Sequence, residues 1–262
     1  DISLDYESLP TVLEFKNVTL QPKDSVPVVD NVSFSVHEGE IFGIAGVSGN
    51  GQDELCDVLS GIRPMTSGEI LFRGRSMSDM SIRERIELGM GYVPVDRYRD
   101  AMEMDMTLAE NILLKASYDP QWSNHGFIRK KALDEYTEQV IMEHSVKATG
   151  PDDLARSLSG GNQQKVVLGR EVNLGQSLMV FNQPTRGLDM GAVDRIHKVI
   201  LSEKENKKAI LLVSTELSEI FGLCDRIAVM YKGRFMGIYE NGELSTARIG
   251  LLMAGIEEEA AA

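Results

Sequence analysis

Short apolar runs alternate with amphipathic stretches along most of the chain. Residues 12–20 alternate like a half-buried strand. A polar turn with Pro22 and Pro27 follows, then a second strand over 31–36 with Glu38-Gly39-Glu40 as its turn. The run 41–45 is apolar throughout and predicts a buried strand that feeds a helix from Gln52 to about Leu59. Residues 68–72 predict a short strand closed by Gly74, and 90–93 another that ends at Pro94. Residues 96–100 read as a charged loop. Helical patterns fill about 81–88, 107–116 and 129–146, and Pro151-Asp152-Asp153 predicts the start of a short helix. A long helix opens within 158–165 and runs to about Val172.

Further on, 177–182 is a buried-type strand, 191–203 a helix, 209–214 a strand and 216–223 a helix. A hairpin pairs 226–230 with 234–238 across Lys232-Gly233, and Ser245 or Thr246 caps a last helix. Strands and helices in alternation predict an α/β fold with a largely parallel central sheet. The first strands then form a separate antiparallel layer. Residues 1–10 read as a linker remnant, and 11–262 as one domain with a helical subdomain over about 78–165. From a start at Asp1 rather than Met, the expectation is a piece of a longer polypeptide.

Charge narrows the partners. With 262 residues and a net charge of -13, the chain lacks the basic character of a nucleic-acid binder. No apolar run approaches the roughly 18 residues of a bilayer span, and no signal peptide is expected. Cys56 and Cys224 are far apart and read as core residues in a reducing setting.

The stretch with the clearest chemistry is Gly46-Val47-Ser48-Gly49-Asn50-Gly51-Gln52-Asp53, between the apolar strand and its helix. It keeps the frame of a phosphate-binding loop, G-x-x-x-x-G-K-[ST], without its Lys and hydroxyl. Gln52 stands at the Lys position and Asp53 at the Ser/Thr position. The first change removes a positive charge and the second adds a negative one. Each is worth up to roughly 4 kcal/mol at about 4 Å and an effective dielectric of about 20. As a bland alternative, the run is a glycine-rich turn from strand to helix.

Leu158-Ser159-Gly160-Gly161-Asn162-Gln163-Gln164-Lys165 resembles the signature motif of ATP-binding cassette (ABC) transporter ATPases. Other segments follow in that family's order: the loop frame at 46–53, Tyr92-Val93-Pro94 at the Q-loop, 178–182 as the Walker B strand, Gly187-Leu188-Asp189 as the D-loop and Thr215 at the switch position. The resemblance covers about residues 12–240. Together with Gln183-Pro184-Thr185-Arg186, these runs are similar to the second half of the tandem ATPases of bacterial sugar and nucleoside importers, nearest the nucleoside branch.

The resemblance implies a P-loop NTPase fold of the ABC type, and ATP and Mg²⁺ as cofactors. It implies as partners a second cassette (the fused N-terminal half) and membrane permease subunits, at the cytoplasmic face of the bacterial inner membrane. Its nucleotide-binding positions map onto Gly46, Ser48, Gly49, Asn50, Gly51, Gln52 and Asp53. Its signature positions map onto Leu158, Ser159, Gly160, Gly161 and Asn162, its D-loop onto Asp189, and its coupling loop onto Asp96 and Arg97. The departures all remove catalytic groups: Gln52, Asp53, Asn182 for the Walker B Asp, Gln183 for the catalytic Glu, and Thr215 for the switch His. Val95 also replaces the usual Gln, beside an Asp96-Arg97 that resembles the Glu-Asp-Arg of these second halves.

The expectation is a catalytically degenerate cassette that lends its signature in trans to the partner's ATP site and is inactive alone. The alternatives are a non-hydrolysing nucleotide sensor or scaffold, and a chromosome or repair ATPase, which the acidic charge and the lack of a long coiled-coil insert disfavour. Smaller candidates have plain readings beside them. Arg97, Tyr98 and Arg99 are permease-facing or simply solvated. Trp122 docks a partner or packs locally, and Asp189 crosses an interface or caps a helix. Met102, Met104 and Met106 read as packing rather than a metal site. His37, His125, His144 and His197 show no metal-ligand spacing.

Overall fold

The structure, a computed structural model, describes residues 6–117, 119–124 and 126–257. Residues 1–5 of the expected linker, His125 and the end of the Glu/Ala tail lie outside the described residues. By contact density the chain divides into two units. One holds residues 1–92, 177–183 and 197–262, and the other residues 93–176 and 184–196. The subdomain expected over 78–165 overlaps the second unit without sharing its bounds.

In chain order the first unit starts with β1 (Thr11–Leu20), β2 (Val29–His37) and β3 (Ile41–Ala45). Helix α1 (Gln52–Ser60), β4 (Ser67–Phe72), β5 (Arg75–Ser76), α2 (Ile82–Leu88) and β6 (Met90–Val93) follow. The antiparallel layer expected from the first strands is present as a four-stranded sheet in the order β2-β1-β4-β5. Its inner face carries Leu13, Phe15, Phe34 and Ile70, all nearly buried. Phe34 stacks on Phe42 of β3 at 4.9 Å between ring centres and tilts against Phe15 at 4.6 Å, so aromatic rings join this layer to the central sheet.

The second unit opens with α3 (Arg97–Asp100), α4 (Leu108–Leu113), β7 (Ser123–Asn124), β8 (Phe127–Ile128), α5 (Lys130–Glu143) and α6 (Gly160–Asn173). The expected charged loop at 96–100 is a short helix, because the Asp96 carboxylate accepts from Tyr98 N and Arg99 N and so caps it. The helix expected from Pro151 does not form. The carbonyls of Pro151 and Asp153 accept from Ala109 N and Leu108 N, which caps α4 instead, and only a single 3₁₀ turn follows at Ala155–Ser157. Arg170 of α6 ties this unit together by donating to the carbonyls of Ala101 (2.8 Å) and Asn111 (3.0 Å). Trp122 packs internally: it is buried and lies 4.6 Å from the Tyr136 ring.

The chain then completes its sheet with β9 (Leu178–Asn182), α7 (Met190–Glu205), β10 (Ala209–Ser214), α8 (Leu217–Leu223), β11 (Arg226–Tyr231), β12 (Arg234–Glu240) and α9 (Thr246–Met253). The six-stranded sheet runs β12-β11-β3-β10-β9-β6, and β3, β9, β10 and β11 are parallel where they pair. The apolar run of β3 is buried at every position, as a strand covered on both faces requires. Ser245 caps α9 by accepting from Arg248 N. At the opposite edge of the sheet from the strand ends that carry the candidate site, Glu40 is fully buried. It is paired with Arg226 at 2.7 Å and with His37 at 2.8 Å.

Candidate functional site

Parallel register brings three strand ends to one edge of the central sheet. Ser214 pairs with Ala45, and Val213 pairs with both Ile44 and Asn182. The segments beyond these residues are 46–51, Gln183 and Thr215. In open parallel sheets, ligands gather at this carboxyl edge.

The loop at 46–51 is held from within and from behind. Gly51 has φ 103°, and a Cβ there would lie 2.3 Å from the Val28 carbonyl, so only glycine fits. Asn50 donates from Nδ2 to Val47 O at 2.9 Å. Behind it, Lys232 N donates to Asn50 Oδ1 and Gly233 N donates to Asn50 O, each at 2.8 Å, which ties the β11–β12 turn to the loop. Gln52 is 3% exposed, and its side chain folds back into the loop. Its Oε1 accepts from Asn50 N at 3.1 Å and its Nε2 donates to Val47 O at 3.0 Å. Ser48 and Gly49 stay exposed.

One turn into α1, Asp53 Oδ1 accepts from Asn182 Nδ2 at 2.8 Å. Asn182 is fully buried, and its Oδ1 has no partner. Gln183 takes φ 48° and donates from its backbone to Val213 O at 2.8 Å. Its side-chain oxygen lies 3.5 Å from Thr215 Oγ1. The first turn of α1 carries both Asp53 and Glu54. Two carboxylates there offset the positive end of the helix dipole. Burial, with Asp53 as the leading charge, pushes the neighbouring Cys56 thiol well up.

The start of α6, in the second unit, is the electrostatic opposite. Ser159 is the N-cap, but its side chain caps no backbone N–H, and the first turn has no acidic residue. Ser159 Oγ accepts instead from Asn162 Nδ2 at 2.9 Å, while Asn162 Oδ1 accepts from Lys147 N at 2.9 Å. A helix start with uncapped N–H groups and no local carboxylate favours an anion. Arg97 lies against it. Its Nε donates to Gln163 Oε1 at 3.1 Å, and a Cβ on Gly160 would fall 2.5 Å from its Nη2. Asp189 Oδ1 accepts from Ala192 N at 3.0 Å and so caps α7. Leu158 is buried.

The loop and signature positions are therefore both present as local structures. The bonds that these positions make, each within its own unit, were not legible: Asp53 with Asn182, Gln52 within its own loop, Asn50 with the 232–233 turn, and Arg97 with the α6 start. The one available signal was an Asn in place of an Asp at 182, facing an Asp in place of a hydroxyl residue at 53. Among the described residues no cluster of three or more His, Cys, Asp or Glu side chains is arranged to hold a metal ion. His37, His144 and His197 are engaged by Glu40, Asn173 and Glu219.

Residues 29–186 match a family model described as ABC transporter. The chain is 39% identical over 250 residues to the guanosine import ATP-binding protein NupO of Bacillus subtilis, covering 95% of this chain and 49% of that protein. It is 38% identical over 244 residues to the nucleoside import ATP-binding protein NupA of Lactococcus lactis, covering 93% and 48%. The chain thus spans about half the length of the curated relatives it matches. A solved nucleotide-free ATP-binding cassette from an ABC transporter shares the fold with a TM-score of 0.76 at 22% identity, over 95% of this chain and all of that one.

Proposed function

The chain belongs to the ABC transporter family, and from that premise we propose that it is a catalytically silent cassette of a nucleoside- or sugar-type importer. It works at the cytoplasmic face of the bacterial inner membrane, against permease subunits and beside a partner cassette, which in tandem ATPases is the fused N-terminal half. Among the described residues no helix is long and apolar enough to cross a membrane.

The observation that carries the reading is the contrast between two helix starts. The start of α1 has two carboxylates in its first turn and a glutamine folded into the phosphate loop. The start of α6 has neither a side-chain cap nor an acid. The residues at the first do not fit Mg-triphosphate. The neutral Gln52 stands at the Lys position, and Asp53 would face the phosphates with its own charge. No step is assigned there, and Asn182, Gln183 and Thr215 have no catalytic part.

At the second, the Ser159 hydroxyl and the N–H groups of Gly160 and Gly161 close on the terminal phosphate of ATP held by the partner's loop. Leu158 and Asn162 fix that turn, and Asp189 lies at the partner-facing loop. Phosphoryl transfer depends mainly on positioning and on charge stabilisation, which an uncapped helix start provides. The partner supplies the Lys, the Mg²⁺ ligands and the base. Asp96 and Arg97 lie in the segment that couples to the permease. Ser159→Arg in the assembled transporter fills the anion site and is expected to abolish ATP turnover. Unchanged turnover overturns the reading.

A further inference from the structure

We infer that the Gln52 side chain is the resident occupant of this chain's own phosphate loop, a latch that holds the loop closed to nucleotide. This goes further than the loss of a positive charge, and it rests on the reading of the site as silent.

The carboxamide spans the loop. Its oxygen takes the Asn50 N–H at 3.1 Å, and its nitrogen gives a proton to the Val47 carbonyl at 3.0 Å. It lies so close to the start of the loop that a Cβ on Gly46 would fall 2.4 Å from Nε2. A lysine at the same place could only donate. It could reach the Val47 carbonyl but would leave the Asn50 N–H free for a phosphate oxygen. The amide is both donor and acceptor and consumes that N–H.

The residue whose N–H is taken is also the most firmly held in the loop. Asn50 makes three further hydrogen bonds: its Nδ2 to Val47 O, its Oδ1 from Lys232 N and its carbonyl from Gly233 N. Opening the latch therefore means moving Gln52 alone, since Asn50 is anchored to the β11–β12 turn. Next in line, Asp53 is already paired with Asn182. At Asn50 the backbone N–H, the carbonyl and both side-chain polar atoms are satisfied from within the chain, which an open anion site does not do at its donor.

Charge loss and a latch make different predictions for Gln52→Ala. The substitution changes no charge and deletes the occupant. Binding of inorganic pyrophosphate and of Mg-ADP to the chain is measured by titration calorimetry, with Gln52→Ala, Asp53→Ser and the double variant beside the unsubstituted chain. The latch predicts no pyrophosphate binding at millimolar concentration by the unsubstituted chain and at least a tenfold gain in Gln52→Ala, larger again in the double variant. Equal binding by the unsubstituted chain and Gln52→Ala overturns the latch and leaves the silent-site reading standing. Micromolar Mg-ADP binding by the unsubstituted chain overturns both. Amide exchange on the unsubstituted chain tests the same point without any substitution. The Asn50 N–H is expected to exchange slowly, and exchange as fast as at the exposed Gly49 overturns the latch.

Discussion

Placing an aspartate at position 182 is expected to harm this protein, by an amount that depends on pH. Asn182 is fully buried and gives Nδ2 to Asp53 at 2.8 Å. Asn182→Asp replaces that donor with a second carboxyl group. If both groups stay ionised, the hydrogen bond to a charged acceptor is lost, about 1.5–3 kcal/mol. Two like charges at about 4 Å add repulsion of up to about 4 kcal/mol at an effective dielectric of about 20. The pair escapes part of this by keeping one proton, as close carboxylate pairs do. A carboxyl with an unfolded pKa of about 3.9 then costs about 4 kcal/mol to hold protonated at pH 7, and about 1.5 kcal/mol at pH 5.

The sign follows from linkage. The folded pair binds a proton that the unfolded chain has released, so the penalty shrinks as pH falls and is nearly gone by about pH 4. At about 2–4 °C per kcal/mol for a chain of this size, Tm falls by roughly 8–16 °C at pH 7 and by roughly 3–6 °C at pH 5. Thermal unfolding followed by circular dichroism at both pH values, each against the unsubstituted chain, measures it. The exchanged pair, Asp53→Asn with Asn182→Asp, restores one acid and one amide and is expected to recover all but about 1 kcal/mol, a coupling that a double-mutant cycle isolates. A penalty below about 1 kcal/mol, or one of equal size at both pH values, refutes the reasoning.

Two glycine substitutions are expected to separate backbone clash from side-chain clash. Gly51→Ala sets a Cβ 2.3 Å from the Val28 carbonyl at φ 103° and is expected to cost about 3 kcal/mol or more, whereas at Gly160 the nearest atom is the movable Arg97 Nη2, so Gly160→Ala costs about 1 kcal/mol or less in urea unfolding. Arg226→Ala strips a guanidinium from the fully buried Glu40 and is expected to cost about 3–5 kcal/mol by the same measure.

The middle of the central sheet was legible because its strands are largely apolar runs: the residues of β3, β9 and β10 are buried at every position. The antiparallel layer was legible from the alternation in β1. The errors fell where short-range capping competes with a local pattern. Asp96 turns a charged loop into a helix by accepting two N–H groups. Pro151 and Asp153 look like a helix start but give their carbonyls to α4. The β7–β8 hairpin, two residues a side, is too short for any periodicity to show.

At the site, the positions were legible and the pairings were not, since the decisive bond joins residues 129 apart in sequence. In sequence, Gln52, Asp53, Asn182, Gln183 and Thr215 are separate positions. In the structure they fall into contacts: Gln52 with its own loop, Asp53 with Asn182, and Gln183 facing Thr215 at 3.5 Å. Positions unrelated to one another would leave several buried polar groups without partners. Here the Asn182 Oδ1 is the one such atom among these side chains. These side chains therefore meet in pairs rather than standing alone. Changing a single member leaves its partner facing the wrong group, as the carboxylate pair created by Asn182→Asp makes measurable.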